Sequence, residues 1–333
     1  MQNRGCAMAV LEVRGLTTVY KTQNGDALAL DNLDLDLDKG EMLGLIGESG
    51  CGKTTAGYSI LRSVKYPGVI KKGVVSLAGT DLTQLSEADL RKHLWKEIAM
   101  IPQCAMNALN PSYKIGSQIS EAIEVHEPKA PKNAIQERIC KLLNSVGLSA
   151  GWRDSYPHKL SGGMKQRVVI AMALACNPKI IIADESTTGL DVLVQAQIMA
   201  LLKKIQVEHD LGILLISHDL AMVSQVCERI GIMYAGSLVE LGSTERILEN
   251  ALHPYTKALL SSQVSLHGIH KIVKPIEGMV PSLTEKFIGC KFRDRCKHRR
   301  EFCGIEKPKL EEIEREHWCA CHFSRELGGV IHG

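Results

Sequence analysis

Residues 42–60 read Met42-Leu-Gly-Leu-Ile46-Gly47-Glu48-Ser49-Gly50-Cys51-Gly52-Lys53-Thr54-Thr55-Ala-Gly-Tyr-Ser-Ile60. Met42–Ile46 is a short apolar run that reads as a buried strand, and a helix is expected from about Lys53. Between them lies G-x-x-x-x-G-K-[ST], a loop whose chemistry is phosphate binding. Its glycines let the backbone N–H groups of residues 47–52 close around phosphate oxygens. The start of the helix adds the positive end of its dipole. Lys53 is expected to reach the β- and γ-phosphates and the Thr54 hydroxyl to ligate Mg²⁺, with Thr55 beside it. Cys51 would contribute only its amide, and its thiol is expected to make the loop sensitive to thiol reagents.

Working outward, a second stretch supplies acids. Lys179-Ile-Ile-Ile-Ala-Asp184-Glu185 is an apolar strand ending in two carboxylates. Asp184 suits a Mg²⁺ contact, and Glu185 can polarise an attacking water as general base. Alone, two acids at a strand end read as the start of a loop; beside a phosphate loop they read as chemistry. Strands are also expected at 8–13, 29–37, 213–216 and 230–234, with helices between the later ones. This alternation predicts an α/β fold with a largely parallel sheet. In the second strand Leu33, Leu35 and Leu37 alternate with Asp34, Asp36 and Asp38, which predicts one buried and one wet face. The positions an EF-hand would need as Gly and Glu hold Lys39 and Leu45, so calcium is excluded.

The 333 residues are 45% hydrophobic and 23% charged, enough for a sizeable core and more than one minimal domain. A net charge of +3 gives no electrostatic argument for nucleic acid. No apolar run reaches bilayer length, and no signal peptide is evident at the start, so a cytosolic chain is expected.

Leu160-Ser161-Gly162-Gly163-Met164-Lys165-Gln166-Arg167 resembles the signature of the ABC (ATP-binding cassette) ATPases, and other elements of that family follow in order over residues 8 to about 250. The resemblance implies an ABC-type P-loop core with a helical subdomain at about 104–176. It implies that Ser161, Gly162, Gly163 and Gln166 meet the γ-phosphate of ATP held by a second cassette, so that a working site needs two subunits. Tyr20 resembles the aromatic that stacks on adenine. Gln103 resembles the Q-loop glutamine that touches Mg²⁺, Asp191 the D-loop aspartate, and His218 the switch histidine on the γ-phosphate. Ser186 stands where the family usually has proline, and Cys104 where the nearest subfamily often has Asp; neither removes a catalytic group.

His253-Pro-Tyr-Thr256, the segment Ala105–Pro111 and a long tail resemble the oligopeptide/dipeptide importer ATPases. That branch implies a nucleotide-binding domain at 1–260 and a small Cys-rich C-terminal domain at 261–333. It implies a homologous but non-identical second ATPase subunit, two transmembrane permease subunits, an external solute-binding protein and a place on the cytoplasmic face of the membrane. The cargo is expected to be di- or oligopeptide, with oligosaccharides or other solutes as alternatives. A non-transport ABC ATPase is the rival of another class. It is disfavoured because the 53-to-161 interval is too short for a long coiled-coil insertion and the chain has a single cassette.

Five of the eleven cysteines crowd the tail. The run Cys290-x5-Cys296-x6-Cys303-x17-Cys321 resembles the ligand set of a [4Fe–4S] cluster carried by some members of the branch. The chemistry of thiolates also admits Zn²⁺, although the first two gaps exceed zinc-finger spacing. Ala320-Cys321-His322 resembles the family's closing motif, which favours Cys321 over Cys319.

Overall fold

The computed structural model describes residues 9–103, 108–263, 276–284 and 287–327; Cys104 and Ala105–Asn107 lie outside them. The strands are β1 (Ala9–Thr22), β2 (Gly25–Asp38), β3 (Met42–Ile46), β4 (Gly68–Leu77), β5 (Thr80–Asp81), β6 (Ile98–Ile101), β7 (Ile180–Asp184), β8 (Gly212–Ser217), β9 (Arg229–Tyr234), β10 (Ser237–Ser243), β11 (Glu311–Glu314) and β12 (His317–Cys319). The helices are α1 (Lys53–Ile60), α2 (Glu87–His93), α3 (Ile115–His126), α4 (Lys132–Ser145), α5 (Gly162–Ala173), α6 (Val192–His209), α7 (Leu220–Ser224), α8 (Thr244–Glu249), α9 (Pro254–Gln263) and α10 (Ser324–Leu327). No helix among the described residues is long and apolar enough to cross a membrane. The chain divides into two compact units. One comprises residues 1–11, 36–42 and 76–215, the other 12–35, 43–75 and 216–333.

In the first unit β6 and β7 pair in parallel, Ile98 opposite Ile180 and Ile101 opposite Ala183, and β8 follows β7 in the sheet. All five residues of β7 are buried. A strand covered on both faces needs continuous apolar sequence, which is why this segment reads Ile-Ile-Ile-Ala before its acid. Helices α3, α4 and α5 pack together. Ile115, Ile119 and Ile123 on α3 and Ile135, Ile139 and Leu143 on α4 are buried, each set recurring every four residues to make one apolar stripe.

In the second unit β3 runs parallel to β9, Leu43 opposite Arg229 and Ile46 opposite Ile232. A two-residue turn, Ala235-Gly236, leads from β9 into β10; both residues have positive φ, 45° and 83°. Such turns match the twist of the strands they join. The tail adds two further strands. β12 pairs antiparallel with β10, Cys319 opposite Glu240 and His317 opposite Gly242, and β11 pairs with β12. The expected wet face of β2 is corrected in part: Asp36 is buried along with Leu33, Leu35 and Leu37.

A buried polar knot joins β10, β12 and the start of α9. Glu240 accepts the backbone N–H groups of Leu252 (2.6 Å) and His253 (3.0 Å) and faces His317 Nε2 at 2.8 Å. His253 Nδ1 in turn accepts the N–H of Tyr255 at 3.0 Å. This explains the order His-Pro-Tyr: an acceptor, a helix-starting proline whose missing N–H costs nothing, and a residue whose N–H the histidine satisfies.

His253 is wholly buried, and desolvation lowers its pKa from 6.5 to about 4 despite the nearby Glu240. Between those values the unfolded chain binds a proton that the native chain does not, so stability falls as pH falls. Lowering the pH from 7.5 to 5 is expected to remove about 2 kcal/mol through this residue. Denaturant unfolding of wild type and His253→Asn across that range checks it: the variant's profile should lack this component.

Candidate functional site

The phosphate loop is shaped by what its glycines allow. Gly52 has φ +103°, and a Cβ there would lie 2.4 Å from the Ala29 carbonyl oxygen. A Cβ at Gly47 would lie 2.3 Å from the Met233 carbonyl oxygen. The backbone therefore passes close to its neighbours and turns directly into α1, with Lys53, Thr54 and Thr55 in the first turn. Lys53 is buried, and its ammonium folds back on the loop, donating to the carbonyl oxygens of Gly47 (2.7 Å) and Glu48 (3.0 Å). Ser49 and Gly50 are exposed at the rim. The Glu48 amide is already engaged, donating to the Tyr255 hydroxyl at 3.0 Å. The Tyr20 hydroxyl lies 3.5 Å from Thr55 Oγ1, at the same helix start. His218 is exposed just beyond β8, and the next residue, Asp219, caps α7 by accepting the Met222 N–H at 3.0 Å.

In the first unit the acids stand where β7 ends. Asp184 is buried, and Glu185 follows it with φ 41°, a left-handed conformation rare for a residue with a side chain. Gln103 Nε2 donates to Glu185 Oε2 at 2.7 Å, and Thr188 Oγ1 lies 3.4 Å from the same oxygen. The carboxylate is thus aimed by a side chain 82 positions away. The signature serine, Ser161, caps α5 by accepting the Met164 N–H at 3.3 Å. Gly163 packs against Val194: a Cβ there would lie 2.7 Å from Val194 Cγ1. Gln166 is buried, and its Nε2 has no hydrogen-bond partner among the described residues. Asp191 caps α6 by accepting the Val194 N–H at 2.9 Å. Gln195 belongs to no motif in the sequence. Its amide donates to the carbonyls of Thr187 and Leu190 and so holds the turn between Glu185 and Asp191.

In the tail, Cys290, Cys296, Cys303 and Cys321 line one cavity with Phe292, Phe323 and His253. Cys319 is buried on β12 instead. Three of the four sulfurs accept a backbone N–H two residues on: Cys290 from Phe292, Cys296 from His298 and Cys321 from Phe323. Burial nevertheless raises these three thiols, Cys290 to about 11. Among the described residues no group of three or more His, Cys, Asp or Glu is placed to hold a metal ion. The metal-bearing tail domain that the resemblance implies is therefore not supported by the arrangement of these residues.

Residues 30–188 match the ABC transporter family, and residues 239–303 match the oligopeptide/dipeptide transporter C-terminal region. The dipeptide transport ATP-binding protein DppD of Escherichia coli (strain K12) is 39% identical over 324 residues, 97% of this chain and 99% of that protein. DppD of Haemophilus influenzae is 40% identical over 308 residues, 92% of this chain and 93% of that protein. Among solved structures, the ATP-binding cassette MJ0796, a dimer in a post-hydrolysis state bound to ADP and Pi, matches with a TM-score of 0.63 and 28% identity, over 70% of this chain and 98% of that one. Fold and site thus define an ATPase of the ATP-binding cassette class. The chain belongs to the ABC transporter ATP-binding family, in the branch that carries the oligopeptide/dipeptide transporter C-terminal region.

The expected thiol sensitivity of the loop is corrected by the structure. Cys51 is 1% exposed, and burial raises its thiol against the pull of Lys53. In the native protein Cys51 should remain unlabelled by a maleimide under conditions that label it fully after unfolding, as read by peptide mass mapping.

Proposed function

We propose that the chain is one of two ATP-binding subunits powering an importer of di- or oligopeptides. Relatives named for dipeptide transport over nearly the whole chain, together with the matching C-terminal region, support this reading. The nucleotide-binding domain would run to about residue 260 with a helical subdomain at about 104–176, and residues 261–333 would form the branch-specific domain. A homologous second ATPase, two permeases and an external solute-binding protein complete the assembly, on the cytoplasmic face of the membrane.

Each residue then has a role. The backbone of Gly47–Gly52 and the start of α1 cradle the phosphates, and Lys53 leaves the loop carbonyls for the β- and γ-phosphates. Tyr20 stacks on the adenine. Thr54, Asp184 and Gln103 offer the hard oxygen donors that Mg²⁺ takes. The ion would neutralise charge building on the phosphates. Glu185 activates the attacking water as general base. The observation that carries this assignment is the 2.7 Å hydrogen bond from Gln103, which aims the Glu185 carboxylate. His218 contacts the γ-phosphate. Ser161, Gly162, Gly163 and Gln166 of one subunit complete the site of the other, with Asp191 in the turn beside them. Closure of two cassettes around ATP would then drive the permeases, and hydrolysis would reopen them.

We further propose a [4Fe–4S] cluster held by Cys290, Cys296, Cys303 and Cys321. The donor set fits: four thiols on one cavity, three of them with N–H groups directed at sulfur. Hydrogen bonds to the sulfurs are the protein's usual lever on such a group. When bound, the cluster would staple the tail; the cysteines' part is to hold it.

Two outcomes are expected. Glu185→Gln should lower ATPase activity of the assembled transporter at least about a hundredfold while keeping ATP affinity. Near-normal turnover would sink the assignment. Chain purified without oxygen should carry about four iron and four sulfide. Metal analysis well below one cluster per chain would end that proposal.

A further inference from the structure

Glu48, the second residue of the phosphate loop, is held at every polar group it has. Its amide donates to the Tyr255 hydroxyl at 3.0 Å. Its carbonyl accepts from Lys53 Nζ at 3.0 Å. Its carboxylate takes Arg295 end-on, Nη1 to Oε2 at 2.6 Å and Nη2 to Oε1 at 2.9 Å. Arg295 lies 247 positions away, immediately before Cys296.

This is unlike a surface ion pair, which contributes little because both partners stay wet and mobile. The Arg295 side chain is only 4% exposed. Its donors are fully used: beyond Glu48, Nε donates to the Glu277 carbonyl at 3.0 Å, Nη2 to the Ile276 carbonyl at 3.1 Å, and Nη1 lies 3.4 Å from the Tyr234 hydroxyl. The guanidinium also sits 5.7 Å from the centre of the Tyr234 ring. A planar fork with every N–H directed permits one position, and the carboxylate must come to it. Phe292, in the same turn of chain as Arg295, packs on both Tyr234 and Tyr255, with ring centres 5.2 and 5.4 Å away. The arginine and the tyrosine that grip Glu48 therefore share one aromatic seat.

We propose that Arg295, together with Tyr255, is a positioning residue for the phosphate loop. By fixing Glu48, it holds the peptide on which Lys53 rests and presets the loop for nucleotide, so that tail residues set the affinity for ATP. The proposal rests on the reading of residues 47–55 as the nucleotide site. Neither residue touches the phosphates: Tyr255 uses its hydroxyl on an amide, and Arg295 spends its donors on Glu48, on the carbonyls of residues 276 and 277 and on Tyr234.

The test is Mg-ATP binding to the purified full-length chain, followed with a fluorescent ATP analogue, beside ATPase kinetics of the assembled transporter. Arg295→Ala should weaken binding about tenfold, the scale set by a charged, bidentate hydrogen-bonded pair. KM for ATP should rise with it while kcat stays within about twofold, because the loss is in loop placement and not in the chemical step. Arg295→Lys, keeping charge without the fork, should recover part of the affinity. Glu48→Gln should weaken binding comparably, and the Glu48→Gln/Arg295→Ala double variant should lose no more than the worse single variant. An Arg295→Ala protein that melts like wild type and binds ATP within twofold of it would overturn the proposal, as would losses that multiply in the double variant. Should Arg295→Ala fail to fold, Glu48→Gln and Tyr255→Phe carry the same test, and unchanged affinity in both overturns it. Lys53→Ala is the control for the underlying reading: binding that survives it would show that the loop is not the nucleotide site, whatever Arg295 does.

Discussion

The phosphate loop works only if its backbone can pass where no side chain fits. Gly47 and Gly52 run so close to the carbonyls of Met233 and Ala29 that a single Cβ at either would collide with main chain. That constraint places the loop against the turn that joins β9 to β10, since Ala235 and Gly236 follow Met233 and Tyr234 directly. It also sets the entry into α1 and so the position of Lys53. Much of the second unit reads as support for this stretch: β3 leads into it, β9 flanks it, and Tyr255 and Arg295 grip its second residue.

The first unit solves a different problem with similar means. There the group proposed to activate water is a carboxylate at a strand end, and a lone carboxylate on a bend has many orientations. Gln103 and Thr188 restrict it from one side, while Gln195 holds the following turn from the other. Glu185 itself takes a left-handed backbone conformation, a local cost of the kind that persists at sites where surrounding contacts enforce it. In each unit, buried strands place polar groups and short polar contacts aim them.

The tail shows how one segment can serve both folding and site. His253 starts α9, accepts the Tyr255 N–H and sits under Glu240, so the conversion of His-Pro-Tyr into a helix start also delivers the Tyr255 hydroxyl to Glu48. The turn after Cys290 carries Phe292 into the aromatic seat and Arg295 to the loop. β12 then anchors the end of the described chain on β10. The same short segment also supplies cysteines that line the neighbouring cavity.

What is local can be read along the chain. G-x-x-x-x-G-K-T between an apolar pentapeptide and a helix, Ile-Ile-Ile-Ala before two acids, and Ser-Gly-Gly at a helix start are legible because spacing and period specify conformation within a few residues. What joins distant segments emerges only in the folded chain. Folding buried Asp36 on a strand whose alternation promised solvent, buried Cys51 in a loop whose thiol looked available, committed the Glu48 amide to Tyr255, and brought Arg295 to Glu48. A bidentate pair 247 positions apart leaves no periodic trace, because each partner alone is an ordinary charged residue. Its meaning comes from burial and from donors fully used, and those exist only once the chain has closed on itself.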